Sequence, residues 1–199
     1  MFPSLYSLFL VVFTLHLAET FHISNYITRK SQSSIIKMVW YDTSVSLTVN
    51  GATSREAYAL FSQLDMHPNW SPWLYSVDYN RNNGISKWTL KALGLSFSWR
   101  ANNTYMDDTT IQWQSIEGFQ NKGKVEFQSD TSSDTSVTMK LTLSYDLPQA
   151  AITVLESLGP RAQNFIQETL LEDLKRFRAV LLKDIRIKRM DNFRAKVDR

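Results

Sequence analysis

The sequence predicts an α+β domain in which a curved antiparallel sheet of about seven strands wraps around a long C-terminal helix. Three observations carry that expectation. Segments between Thr43 and Tyr145 alternate apolar and polar residues, the period of half-buried strands. Beyond Leu147-Pro148 the period changes to 3.6, and Phe165, Ile166, Leu170, Leu174, Phe177 and Leu181 share one helix face. Five tryptophans, Trp70, Trp73, Trp88, Trp99 and Trp113, fall within 44 positions. The last three stand one to a segment, so bulky aromatics occupy one face of the sheet.

The elements follow in order. Val45, Leu47 and Val49 alternate with Ser44, Ser46, Thr48 and Asn50 in a first strand that Gly51 ends. Thr53 or Ser54 caps a helix with Glu56 in its first turn and Ala57, Leu60, Phe61 and Leu64 as its apolar stripe. Pro68 and Pro72 confine the stretch from Asp65 to Leu74 to short helical turns. Strands are then expected at 75–79, 86–93, 95–106, 110–117, 124–129 and 136–145. Asn82-Asn83-Gly84 and Asp130-Thr131-Ser132-Ser133-Asp134 are turn chemistry, and Gly94 suits a tight reversal. Pro160 can open the final helix at its first position.

Parity sorts the faces. Trp88, Leu90 and Ala92 point inward on one strand, and Phe97, Trp99 and Ala101 on the next. Ile111 and Trp113 follow, then Val125 and Phe127, and finally Val137, Met139, Leu141 and Leu143. Lys87, Arg100, Gln112, Glu126 and Lys140 take the solvated face. One helix about 10 Å across cannot fill the concavity of six strands, so inward aromatics border open volume. The residues expected to bind a ligand there are Trp73 at a Pro-bounded lip, Trp88, Leu90, Phe97, Trp99, Trp113, Phe127, Met139 and Leu141 from the sheet, and Phe165 from the helix. Their flat faces suit a planar or polyene-like molecule.

The 199 residues suffice for one domain with extensions, expected at 42–185 with a basic tail at 186–199. The formal charge of +3 is uneven: residues 172–199 hold ten Lys and Arg against five Asp and Glu, whereas 42–171 are net acidic. An acidic middle argues against nucleic-acid binding, which needs clustered cations. The basic end suits a solvated helix face or contact with an anionic membrane surface. Cysteine is absent, which removes disulfides, thiolate metal sites and cysteine nucleophiles together.

Residues 1–20 suit a signal peptide: positions 2–18 are uncharged, mostly apolar and short for a membrane span. Residues 21–41 contain no acid, three basic residues and five Ser and Thr, a transit-peptide-like composition. A signal segment followed by such a stretch beginning at Phe21 resembles the bipartite plastid leader of algae whose plastids have extra membranes. Plastid import is the expected destination, with secretion as the alternative.

The segments Phe61-Ser-Gln-Leu-Asp-Met-His-Pro-Asn-Trp-Ser-Pro-Trp-Leu74, Ser86-Lys-Trp-Thr-Leu-Lys-Ala-Leu-Gly-Leu-Ser-Phe-Ser-Trp99, Ile111-Gln-Trp-Gln-Ser-Ile-Glu-Gly118 and Glu172-Asp-Leu-Lys-Arg-Phe177 resemble the polyketide cyclase/dehydrase family. That family belongs to the START-like, helix-grip superfamily, which includes the coenzyme-Q-binding START proteins. The resemblance covers about Thr43 to Leu182. It implies a hydrophobic cavity between sheet and helix that takes a lipid, quinone, isoprenoid or polyketide-like molecule.

Chemistry within such a cavity needs an inward titratable group. His67 is the only histidine inside the domain and suits packing or capping in its turn, since a base needs a positioned partner. Asp107-Asp108 suits a solvated hairpin. Asn102-Asn103-Thr104 fits the N-glycosylation pattern and matters only on a secretory route. Ser115 and Tyr145 are the polar residues at inward parity. No metal-ligand spacing and no catalytic set can be assembled. The expected function is therefore binding and carriage of a hydrophobic small molecule, without a cofactor. The alternative is a cofactor-free cyclase or dehydratase acting on a polyketide-like or terpenoid substrate.

Overall fold

The computed structural model describes residues 38–92, 95–130, 133–148, 153, 156 and 159–197. The leader expected at residues 1–20, most of that at 21–41, and Gly94 lie outside them. Strand β1 (Met38–Asn50) is followed by helix α1 (Ser54–Phe61) and a 3-10 turn (Leu64–Asn69). Strands β2 (Leu74–Asn80), β3 (Ile85–Ala92), β4 (Leu95–Asp107), β5 (Thr110–Glu117), β6 (Asn121–Asp130) and β7 (Ser133–Pro148) come next, and helix α2 (Pro160–Val197) ends the fold.

The seven strands form one antiparallel sheet in the order β1-β7-β6-β5-β4-β3-β2. Consecutive strands from β2 to β7 are neighbours, as tight turns dictate, whereas β1 and β2 occupy opposite edges. The connection between them, α1 and the 3-10 turn, must therefore cross the concave face. Thr53 starts α1 with a reciprocal capping box: the Glu56 backbone N–H donates to Thr53 Oγ1 at 3.1 Å, and the Thr53 N–H donates to Glu56 Oε2 at 2.8 Å. This satisfies two backbone donors at the helix start. Ala57, Leu60 and Phe61 then bury most of the stripe that the sequence places there, whereas Leu64, expected on the same helix, is buried at the start of the 3-10 turn.

The apolar interior falls into two clusters. One joins α1, α2 and the inner faces of β1 and β5–β7 around Phe61, Phe127, Met139, Phe177 and Leu181. The other joins Leu64, Leu74, Val77, Leu90, Trp99 and Phe119 under β2–β4. Helix α2 packs closest on β1 and α1, so the inner faces of β2–β4 stand across a gap from it. This lateral offset of the helix is what leaves volume in the fold.

Boundaries differ most from the sequence expectation at the two ends of the fold, and β6 and β7 also start earlier than expected, at Asn121 and Ser133 rather than 124 and 136. Strand β1 begins at Met38, because Met38 to Tyr41 continue the ladder against Pro148 to Tyr145 in unbroken register. Helix α2 continues to Val197, past the last core residue, Ile185. Residues 186–197 are all exposed, an overhang of about 18 Å at 1.5 Å per residue.

Candidate functional site: an aromatic cavity between sheet and helix

A partly open cavity of about 100 Å³ lies between the two apolar clusters. An apolar cavity of about 150 Å³ holds benzene, so the enclosed space is of the order of one aromatic ring. Six of the ten residues expected from sequence line it: Trp73, Trp88, Leu90, Trp99, Trp113 and Leu141. Phe127 and Met139 do not. Both are inward as parity requires, but α1 and α2 cover this part of the sheet: Phe127 packs edge-on against Tyr58 at 5.9 Å and Phe61 at 5.7 Å, and both residues are fully buried in the packed cluster. The side chains of Phe97 and Phe165 lie outside the described residues.

Strand register builds the aromatic wall. Trp88 on β3 pairs directly with Trp99 on β4, so their indoles lie nearly parallel, 10° apart with centroids at 6.0 Å. The Trp88 indole N–H donates to Ser86 Oγ at 2.8 Å, and the Ser86 hydroxyl to the Ala101 carbonyl at 3.2 Å. With its polar atom satisfied inside the sheet, Trp88 has only apolar surface to offer the cavity. His67 stands edge-on to Trp88 at 5.2 Å. On the other side Trp99 meets Phe119, which stacks near Tyr145 at 5.7 Å and 25°.

Phe119 was not expected from the sequence, because it sits in the β5–β6 connection where parity has no meaning. Its signal is the preceding Gly118, at φ +79°, where a Cβ would lie 2.8 Å from the Ser98 carbonyl oxygen and 3.1 Å from Trp99 Cα. The chain turns this close to β4 only without a side chain at 118. Phe119 is thereby delivered against Trp99. Ser115 completes the corner: its hydroxyl oxygen accepts from the Asn121 backbone N–H at 2.9 Å, just beyond the last β5–β6 ladder pair, Gln114 with Lys122.

The principal polar feature of the lining is Asp173, which the sequence reading passed over. It lies three residues after Leu170 and four before Phe177, on the helix stripe that faces inward. The residue is buried, and its carboxylate accepts from the Ser71 hydroxyl, from the Trp73 indole N–H at 2.5 Å and from Arg176 Nη1 at 2.9 Å. Burial raises its pKa above the usual carboxylate value, against the lowering effect of these donors. Three protein donors therefore engage the group, and it clasps the Trp73 lip to α2. Tyr145 also lines the cavity, and burial pushes its hydroxyl pKa upward.

His67 is buried, and its Nε2 lies 2.9 Å from the Phe61 carbonyl oxygen. Since a carbonyl only accepts, Nε2 carries the proton and the ring is held in one tautomer. Burial depresses its pKa from 6.5 to about 4, opposed by the Phe61 hydrogen bond and the charge of Asp65. The neutral imidazole packs between Phe61 and Trp70 at 4.7 and 4.8 Å. In the window between those values the unfolded chain binds the proton that the folded one refuses, so stability rises with pH there. The contribution present above pH 6.5 is about 3 kcal/mol and is lost as pH falls to 4. Asp173, whose pKa is raised, acts in the opposite sense at acid pH, so the measurement is a comparison. The stability gap between the wild type and His67→Asn in urea unfolding is expected to narrow by about 3 kcal/mol from pH 7 to pH 4. A constant gap contradicts the assignment.

Asp107, by contrast, belongs to the β4–β5 hairpin: it accepts from Tyr105 Oη at 2.7 Å and from the Thr109 backbone N–H at 2.8 Å. Asn102 lies within β4, paired with Ile85 and Gln114 on the two adjoining strands.

The model of the family described as polyketide cyclase/dehydrase and lipid transport matches residues 51–174. A comparison with curated proteins finds no match. Among solved structures, a START superfamily protein from Mycobacterium smegmatis superposes with a TM-score of 0.55 at 14% identity, over 71% of this chain and 97% of that one. The Zhui aromatase/cyclase from Streptomyces sp. R1128 superposes with a TM-score of 0.58 at 12% identity, over 74% and 96%. Norcoclaurine synthase from Thalictrum flavum, in complex with dopamine and hydroxybenzaldehyde, gives 0.53 at 13% identity, over 78% and 95%. At these identities the likeness is one of fold. The family match over residues 51–174, on a curled sheet that grips a long helix, identifies the chain as a member of the polyketide cyclase/dehydrase family.

Proposed function

We propose that this protein binds a planar hydrophobic small molecule, a lipid, quinone, isoprenoid or polyketide-like compound, between sheet and α2, and carries or presents it. The observation that carries the reading is the wall itself. Parallel indole faces line a partly open apolar cavity, and its buried carboxylate is already engaged by three protein donors. Apolar area with a few fixed polar groups is the composition of a binding pocket. Because the enclosed space is of the order of one ring, a larger cargo inserts one end and leaves the rest at the mouth. Titration with N-phenyl-1-naphthylamine tests this: emission excited through tryptophan rises and saturates at one probe per chain. A linear, unsaturable signal overturns it.

A second reading is a cofactor-free cyclase or dehydratase. Asp173 favours it, as a buried carboxyl of raised pKa on the cavity wall, the kind of group that acid–base chemistry uses. Turnover of a polyketide-like substrate that falls at least 100-fold in Asp173→Asn, while probe affinity falls less than 10-fold, supports it over carriage.

The reading includes a place of action. On the α2 overhang Ile187, Met190, Phe193 and Val197 are exposed and fall within an arc of about 120° at 100° per residue, opposite the side that buries Leu174 and Leu181. Arg186 and Arg194 fall within this arc and Arg189 and Lys196 beside it, a composition suited to an anionic membrane surface. The full chain is expected to float with vesicles containing 30% phosphatidylserine and Phe193→Asp to float several-fold less; equal flotation counts against membrane docking. Import into a plastid belongs to the same proposal, and amino-terminal sequencing of the native protein tests it. A mature chain that starts at Phe21 argues for secretion.

A further inference from the structure

We propose that Gly123 is the specificity-determining position of this cavity, because the absence of a side chain there lets the Trp113 indole lie flat on the sheet and form the cavity floor. The inference rests on the cavity being a ligand site, and adds which residue sets its depth.

Gly123 stands inside β6, paired with Trp113 on β5 and Leu143 on β7 in regular register. Glycine within a strand weakens it, and commonly marks a close approach by another group. Conformation supplies no reason for glycine here. The described glycines at positive φ are Gly51, Gly84, Gly118 and Gly159, and Gly123 is not among them. Sterics supply the reason: a Cβ at 123 would lie 2.7 Å from Trp113 Cη2 and nearer still to Cζ2 and Cε2. The indole thus occupies the place of the missing side chain.

The face is fixed by parity. Asn121 and Val125, two residues to either side of Gly123, are buried on the concave side, and Asn121 lines the cavity. Trp113 lines it too. Any side chain at 123 therefore displaces the ring from the sheet surface. Strand β6 lies on one side of it and Asn103 of β4, its other ladder partner, on the other, so the displaced ring rises into the enclosed space. A void of about 100 Å³ does not tolerate an indole moved by the width of a methyl group. Gly123 with Trp113 thus admits a flat ring end of a ligand to the floor, and a larger residue at 123 restricts the site to slimmer chains.

Two pairs of variants test this with N-phenyl-1-naphthylamine as the probe. Gly123→Ala is expected to weaken probe binding at least 10-fold. In a Trp113→Leu background, where no indole reaches across to β6, the same Gly123→Ala change is expected to alter affinity less than twofold. The second pair carries no clash and so stays informative if Gly123→Ala alone does not fold. Equal affinity of wild type and Gly123→Ala, or equal weakening in both backgrounds, overturns the inference. Wild-type protein that fails to bind the probe overturns the ligand reading instead. The role of Gly123 is then judged by the crystal structure of Gly123→Ala, in which an indole still flat on β6 refutes it.

Discussion

Phe177→Ala is expected to lower the stability of the domain by about 3–5 kcal/mol, the range for an aromatic removed from a closed core. Phe177 is fully buried at the centre of the packed cluster. Its ring meets Phe61 of α1 at 5.3 Å and Trp70 at 5.0 Å, both edge-on. It is therefore the point where the long helix, the short helix and the segment after the 3-10 turn are held together. The cavity lies on the other side of Trp70 and Phe61, both of which also line it, so relaxation into the void left by Phe177 also alters the site. Urea unfolding followed by far-ultraviolet circular dichroism measures the loss. A change below about 1 kcal/mol would mean that the helix is not gripped where the aromatic contacts indicate.

Asp173→Ala is expected to act on stability and binding at once. It leaves the Ser71 hydroxyl and the Trp73 indole N–H without their acceptor, a loss of about 2–3 kcal/mol in a site that water partly reaches. The Arg176 contact adds little, since that side chain is 47% exposed and its pairing is screened. Freed from the clasp, Trp73 no longer has a fixed place at the mouth, and probe affinity falls about 10-fold, equivalent to 1.4 kcal/mol. Asp173→Asn keeps one acceptor oxygen and is expected to fall between wild type and Asp173→Ala in both measurements. If Asp173→Ala binds the probe as tightly as wild type, the lip does not contribute to the site.

The sheet was legible because most of its strands alternate apolar and polar residues and end at recognisable turns, and the switch to a 3.6 period located α2. Parity correctly assigned the face of Trp88, Trp99, Phe127 and Met139, yet it gives no position across the sheet. Phe127 and Met139 lie on the half that the helices cover, and Trp88 and Trp99 on the half they leave open; only the lateral offset of α2 separates the two groups. The extent of α2 was hidden for a related reason. Its apolar stripe changes sides after Ile185, so the core periodicity stops while the helix continues through residues of good helical propensity and the Asp184–Lys188 pair at 2.7 Å. Asp173 was legible in principle, as a carboxylate between Leu170 and Phe177 on an otherwise apolar stripe. Phe119 was less so, since the close approach at Gly118 that delivers it is a tertiary contact with no periodic signature.

The central claim is that the aromatic cavity carries a hydrophobic small molecule. Native mass spectrometry of the protein isolated from its own cells under mild conditions tests it most directly. The account predicts a bound mass at one per chain that is released into organic solvent and is absent from a Gly123→Val variant expressed alongside. Wild-type protein that carries no bound mass, and that also leaves its tryptophan emission unchanged with quinone, carotenoid and fatty-acid ligands, would contradict it.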